Sequence, residues 1–185
     1  HLRRLIKLGI ALHSFADTWS HQRFSGRWNA ADNDIERIAL RQDDGDFERL
    51  GLLDQIKHNL IPDIGHAEAV NFPDQSHLVW RYEHDYSGIE HTRVNSELFL
   101  EAAETIFNKL RALNPGSRIQ WKAIAGAVHR CLTTPTDSVS AKFQAWSDAF
   151  PRIDFSYDPE DWRAQALDGD RWDWDHFRTA EDYAT

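Results

Sequence analysis

The sequence predicts an all-α fold, a single-domain helical bundle with a central, buried helix that carries metal ligands. Three observations predict it. Apolar residues recur at three- and four-residue steps along most of the chain, no stretch alternates clearly enough to read as a strand, and the first helix is apolar nearly all round. The chain has 185 residues, the size of one domain, so 1–185 reads as a single unit. At 41% apolar and 28% charged it has the composition of a globular protein rather than a disordered one.

The first helix runs from Leu2 to Gln22, with Ser25-Gly26 as its stop signal. Leu5, Ile6, Leu8, Ile10, Leu12, Phe15, Ala16 and Trp19 surround it, a pattern that belongs in the middle of a domain. Asn29 or Asp32 then offers a cap for a helix through Ile35, Ile38 and Ala39, closed by the turn Asp43-Asp44-Gly45-Asp46. Phe47, Leu50, Leu53, Ile56 and Leu60 predict an amphipathic helix that ends at Pro62. Residues 62–77 read as an irregular loop, and Trp80 to Tyr86 as another. Asn95 caps a helix over Ser96 to Leu113, and Ile119 to Leu132 repeats the pattern. Thr136 or Asp137 caps a further helix through Val139, Phe143, Trp146 and Phe150, closed by Pro151. The acidic, aromatic tail from Tyr157 reads as short helices packed on the body.

His13, Asp17 and His21 lie four residues apart, so successive members are offset by only about 40° and project from one helix face. Two imidazoles and a carboxylate carried into an apolar interior need a partner, and a divalent cation supplies one. The alternative is a metal-free network in which the histidines bond carbonyls and Asp17 pairs with Arg23 or Arg27. The loop from Pro62 to His77 adds His66 as a fourth ligand, with Asp74 and Glu68 behind it, because loops held on a rigid scaffold commonly complete sites. Zinc suits these ligands; manganese and iron also accept them. The doublet His84-Asp85 matches the core of the helical phosphohydrolases named for it, but a lone doublet is too short to carry that assignment.

A formal net charge of −9 excludes a broad basic face for nucleic acid. One cysteine, Cys131, excludes an intrachain disulfide and every paired-cysteine zinc pattern. No window of about eighteen apolar residues is present to span a bilayer. The chain opens at His1 directly into a helical pattern without an N-cap and contains no methionine, from which upstream sequence is expected to be missing.

The run Ala11-Leu12-His13-Ser14-Phe15-Ala16-Asp17-Thr18-Trp19-Ser20-His21 resembles the His-x-x-x-Asp helix of the zinc-dependent phospholipase C and S1/P1 nuclease superfamily. Together with Ile64-Gly65-His66-Ala67-Glu68-Ala69 and Pro73-Asp74, it looks more closely like a family of uncharacterised bacterial proteins related to that superfamily at this helix. The likeness covers residues 8 to 100. It implies an all-helical fold around a zinc cluster, with His13 and Asp17 at the ligand and bridging positions. His21 arrives earlier than the later helix histidine of the phospholipases. The second zinc of those enzymes uses a His and a Glu separated by three residues, whereas here Glu68 follows His66 by two. The superfamily's upstream ligands have no counterpart, so a partner chain or a missing N-terminal segment would complete such a site.

The expected function is a zinc-dependent hydrolase acting on a small-molecule or lipid phosphodiester. His13, Asp17, His21 and His66 would hold the ion, Asp17 would orient water, and Asp74 or Glu68 would take its proton. The rival expectation is a non-catalytic helical interaction module with a structural metal, or a fragment of a larger enzyme.

Overall fold

A computed structural model describes residues 2–27, 29–49, 66, 69, 71–135, 138–156, 158 and 160. Helix α1 (Leu2–Ser20) is followed by a short helix α2 (Ala30–Asn33), strands β1 (Ile35–Arg41), β2 (Phe47–Arg49), β3 (Val79–His84) and β4 (Ile89–Val94), and helices α3 (Asn95–Leu113), α4 (Trp121–Thr133) and α5 (Val139–Ala149). The four strands form one antiparallel sheet in the order β2-β1-β3-β4. The fold is therefore mixed α and β, and the all-α expectation is overturned by this sheet.

Two sequence features hid the strands. Ile35 and Ile38 are three residues apart, a helical step, yet both face the same core. A bulge between Glu36 and Ala39, with Arg37 at φ 53°, inserts an extra residue and returns Ile38 to the face of Ile35. A bulged strand thus imitates a helical period. In β3 the alternation is regular: Trp80, Tyr82 and His84 are buried, and Val79, Arg81 and Glu83 are half-buried. Its inward residues include a histidine and its outward ones a valine, which blurred the apolar pattern. The helix expected from Phe47 begins instead as β2, and its remainder, with Pro62, lies outside the described residues.

The sheet has a dry face and a charged one. Ile35, Ile38, Trp80 and Tyr82 pack with Ala69, Phe24, Leu40, Phe72 and Leu78 on the first. On the second, Arg37 bonds Glu83 at 2.6 Å, Arg81 approaches Glu90 at 3.8 Å, and the Arg81 guanidinium sits 4.6 Å from the Phe47 ring centre. The β3–β4 hairpin closes through Gly88, whose φ of +63° disfavours a side chain; its N–H reaches the His84 carbonyl at 2.8 Å.

The helices stack in sequence order beside the sheet, α1 on α3, α3 on α4, and α4 on α5. The three later helices match the periodic stretches that predict them. Ser138 caps α5 by accepting from the Ala141 N–H at 3.2 Å, while the expected caps Thr136 and Asp137 lie outside the described residues. Helix α1 is not the buried centre of a bundle. Leu5 and Ile10 are about half exposed, and Leu5, Ile6, Gly9, Ile10 and His13 line an open groove. Among the residues of α1 whose burial is described, only the last, Ser20, is buried, at the helix end that Arg93 of β4 reaches.

Candidate metal centre

Where α1 stops, its last carbonyls need donors. Arg93 of β4 supplies them. One terminal nitrogen donates to the Gln22 carbonyl at 2.7 Å, and the other donates to those of Ser20 at 2.7 Å and Trp19 at 3.3 Å. A guanidinium fork suits several acceptors at once, and its positive charge suits the negative end of a helix. The chain then turns through Arg23 at φ 72°, and the Phe24 N–H reaches the His21 carbonyl at 3.1 Å. His21 is held at this turn, one residue past the helix.

A second clasp comes from Asn95, two residues beyond Arg93 and completely buried. Its amide NH2 donates to the carbonyls of Phe72 at 2.6 Å and Gln75 at 2.9 Å, and its oxygen accepts from the Trp80 indole at 3.1 Å. These bonds tie the 3-10 turn Phe72–Asp74 to the sheet, with Pro73 buried beneath it. Asp74 is thereby presented outward. His66 opens a turn that the buried Ala69 closes, its carbonyl accepting the Ala69 N–H at 2.9 Å.

The clasped segments bring His21, His66 and Asp74 together, with one ligand atom from each lying within 4.8 Å of the others. His21 Nε2 is 3.6 Å from Asp74 Oδ1, and His66 Nε2 is 3.8 Å from Asp74 Oδ2. The two imidazole rings are 4.3 Å apart, tilted by 45°. These separations are too long for good hydrogen bonds. They are close to the spacing of two ligands on one tetrahedral ion, about 3.3 Å for bonds near 2.05 Å. The donors fit a divalent ion in chemistry as well as spacing, two imidazoles and one carboxylate without thiolate. The side chains of His66, His21 and Asp74 are 21%, 39% and 51% exposed, so the group opens to solvent through the carboxylate.

The remaining sequence-predicted residues lie elsewhere. His13 and Asp17 pair with each other, Nε2 to Oδ2 at 3.6 Å, with the His13 side chain 79% exposed. Eight residues of helix separate His13 from His21 by about 12 Å along the axis, so one ion does not span both. Glu68 lies outside the described residues. Asp74, expected to accept a proton, stands among the ligand atoms themselves.

Arg93 and Asn95, the residues that organise the centre, escaped the sequence reading. Asn95 resembles a helix cap, and it is the first residue of α3. Its side chain is spent on the loop and Trp80 instead. Arg93 left one trace, a charged residue on the strand face that should be apolar.

No curated protein and no solved structure matches the chain. No helix among the described residues is long and apolar enough to cross a membrane. A family model matches residues 1–184, nearly the whole sequence. On that match the chain belongs to the family of unknown function DUF6765.

Proposed function

We propose that this protein is a metal-dependent hydrolase, most simply a zinc enzyme, acting on a phosphodiester such as a phospholipid or nucleotide. The observation that carries the proposal is the convergence of His21, His66 and Asp74 from three separate segments onto one solvent-facing point. The three donors among the described residues, if they are the whole protein set, leave a position on a four-coordinate ion for water or substrate, whereas a structural zinc is closed by four. A bound ion there supplies Lewis acidity toward a phosphoryl oxygen and makes a coordinated water more acidic. Glu68, two residues from His66 in sequence, is the carboxylate we assign to accept a proton. Support for the phosphodiester comes from the likeness of the α1 run to the zinc-dependent phospholipases and nucleases. It is confined to that run, since the sheet departs from their all-helical architecture. Manganese and iron accept the same donors.

Metal analysis of protein purified without chelator tests the reading. The expected result is near-stoichiometric zinc in the wild type, lost in Asp74→Ala and His21→Ala and retained in His13→Ala. Wild-type protein free of metal would overturn it. Metal-loaded protein inactive on bis-p-nitrophenyl phosphate, phosphatidylcholine and single-stranded nucleic acid would leave a structural ion, and the chain would then be an interaction module.

A further inference from the structure

Helix α1 carries two apolar stripes, and the described fold covers one of them. Leu8, Leu12, Phe15 and Trp19 share a face and are half-buried, and the Lys109 ammonium of α3 sits 5.0 Å from the Phe15 ring centre, so this stripe is turned to α3. Leu5, Ile6, Gly9, Ile10 and His13 form the second, centred about 120° round the helix from the first. They line an open groove of about 530 Å³, with Leu5 and Ile10 half exposed.

Gly9 lies in the middle of this second stripe. A glycine inside a helix is destabilising relative to alanine, yet a Cβ placed at Gly9 would meet no described atom within 4 Å. The packing described for the chain does not use that gap. What a missing side chain at this point permits is the close approach of a second backbone, as where two helices cross.

The lining says what the groove takes. It offers one polar side chain, His13, where a small-molecule pocket has several convergent polar groups. A formal charge of −9 sets the chain as a whole against an anionic bilayer. The stripe does complement itself. In an antiparallel pair crossing at Gly9, residues equidistant from it meet, so Leu5 lies opposite the partner's His13 and the two Ile10 side chains flank the paired glycines. Arg4 and Lys7 precede Gly9 and Asp17 follows it. An antiparallel copy therefore sets the positive half of each helix against the negative half of the other and opposes their dipoles, whereas a parallel copy stacks like charges. A helix of 19 residues offers a strip about 28 Å long and about 10 Å wide, less than the roughly 800 Å² a side of a standard interface, which makes the association reversible and micromolar.

We propose that this face of α1 is the contact of a homodimer in which two copies of the chain cross antiparallel at Gly9. The contact does not depend on the metal reading. Gly9 and His21 are twelve residues apart, about 18 Å along the helix, so either proposal can fail alone.

Sedimentation velocity on the full chain across the micromolar range is the test. A concentration-dependent monomer–dimer equilibrium is expected. Ile10→Glu, which sets two like charges against each other at the crossing, and Gly9→Leu, which fills the gap, should each weaken it by about tenfold or more. Leucine favours a helix and has no described neighbour to strike here, so at concentrations too low for pairing Gly9→Leu should melt at the same temperature as wild type or higher. His21→Ala, which removes a metal ligand, should pair as wild type does. Direction is read by cross-linking in a Cys131→Ser background with copper phenanthroline as oxidant. Gly9→Cys should join two chains through a disulfide, and Leu5→Cys should not, because antiparallel copies hold the two Leu5 positions about 12 Å apart along the axis. Four results would overturn the proposal: a chain monomeric throughout the range, a dimer indifferent to both Gly9→Leu and Ile10→Glu, cross-linking of Leu5→Cys as ready as that of Gly9→Cys, or phosphatidylserine vesicles that take up wild type and not Ile10→Glu.

Discussion

At the scale of single residues, histidines close in space serve different ends. His21 and His66 face Asp74, whereas the rings of His84 and His91 lie 5.3 Å apart beside Tyr82. Burial is the largest influence on His91, and the charges of Arg23 and His84 add to it, so its imidazole is pushed below the usual value of 6.5. The folded protein therefore binds fewer protons at His91 than the unfolded chain as pH drops through that value. Stability contributed at this position is present above pH 6.5 and lost below it. The melting temperature is expected to fall between pH 7.5 and 5.5, and to fall less in His91→Gln; equal slopes by differential scanning calorimetry would refute this. The candidate ligands were partly legible residue by residue. His21, His66 and Asp74 were all singled out by residue type and apolar company. Their grouping was not, because a four-residue repeat marks a shared helix face and says nothing about how a distant loop folds back onto the helix end.

Among elements, the decisive contact is between β4 and the end of α1. Arg93 donates to the carbonyls of Ser20 and Gln22 and shares that of Trp19 with the Gln22 N–H. Arg93→Leu would take this donor from the Ser20 and Gln22 carbonyls and remove the buried charge, and is expected to cost about 2–4 kcal/mol in urea unfolding. Arg93→Lys should recover only part, because an ammonium does not reproduce the planar fork. An unchanged denaturation midpoint in Arg93→Leu would show that the helix end needs no clasp. Periodicity exposed α3, α4 and α5, whose apolar spacing is regular. It failed at β1, where the bulge at Arg37 set two isoleucines a helical step apart, and at β3, where His84 occupies a core position.

For the whole molecule, the candidate metal centre joins segments distant in sequence: the turn after α1, the turn at His66, and the 3-10 turn before β3. An unfolded chain does not hold these donors together, so an ion that binds the native state stabilises all of it. At a free metal concentration one hundred times the Kd, the gain is about 2.7 kcal/mol. Zinc is thus expected to raise the melting temperature of metal-stripped wild type and to leave that of Asp74→Ala unchanged. A shift of equal size in both would place the ion elsewhere.

Arg93 and Asn95 are two positions apart where β4 runs into α3, and among the described residues β4 lies at the edge of the sheet with β3 as its one strand neighbour. The holds on His21 and on Asp74 therefore share one hinge post. Fraying of that border would slacken both at the same instant, so ion release and exchange of the β4 amides with solvent deuterium should proceed as one event with a common rate.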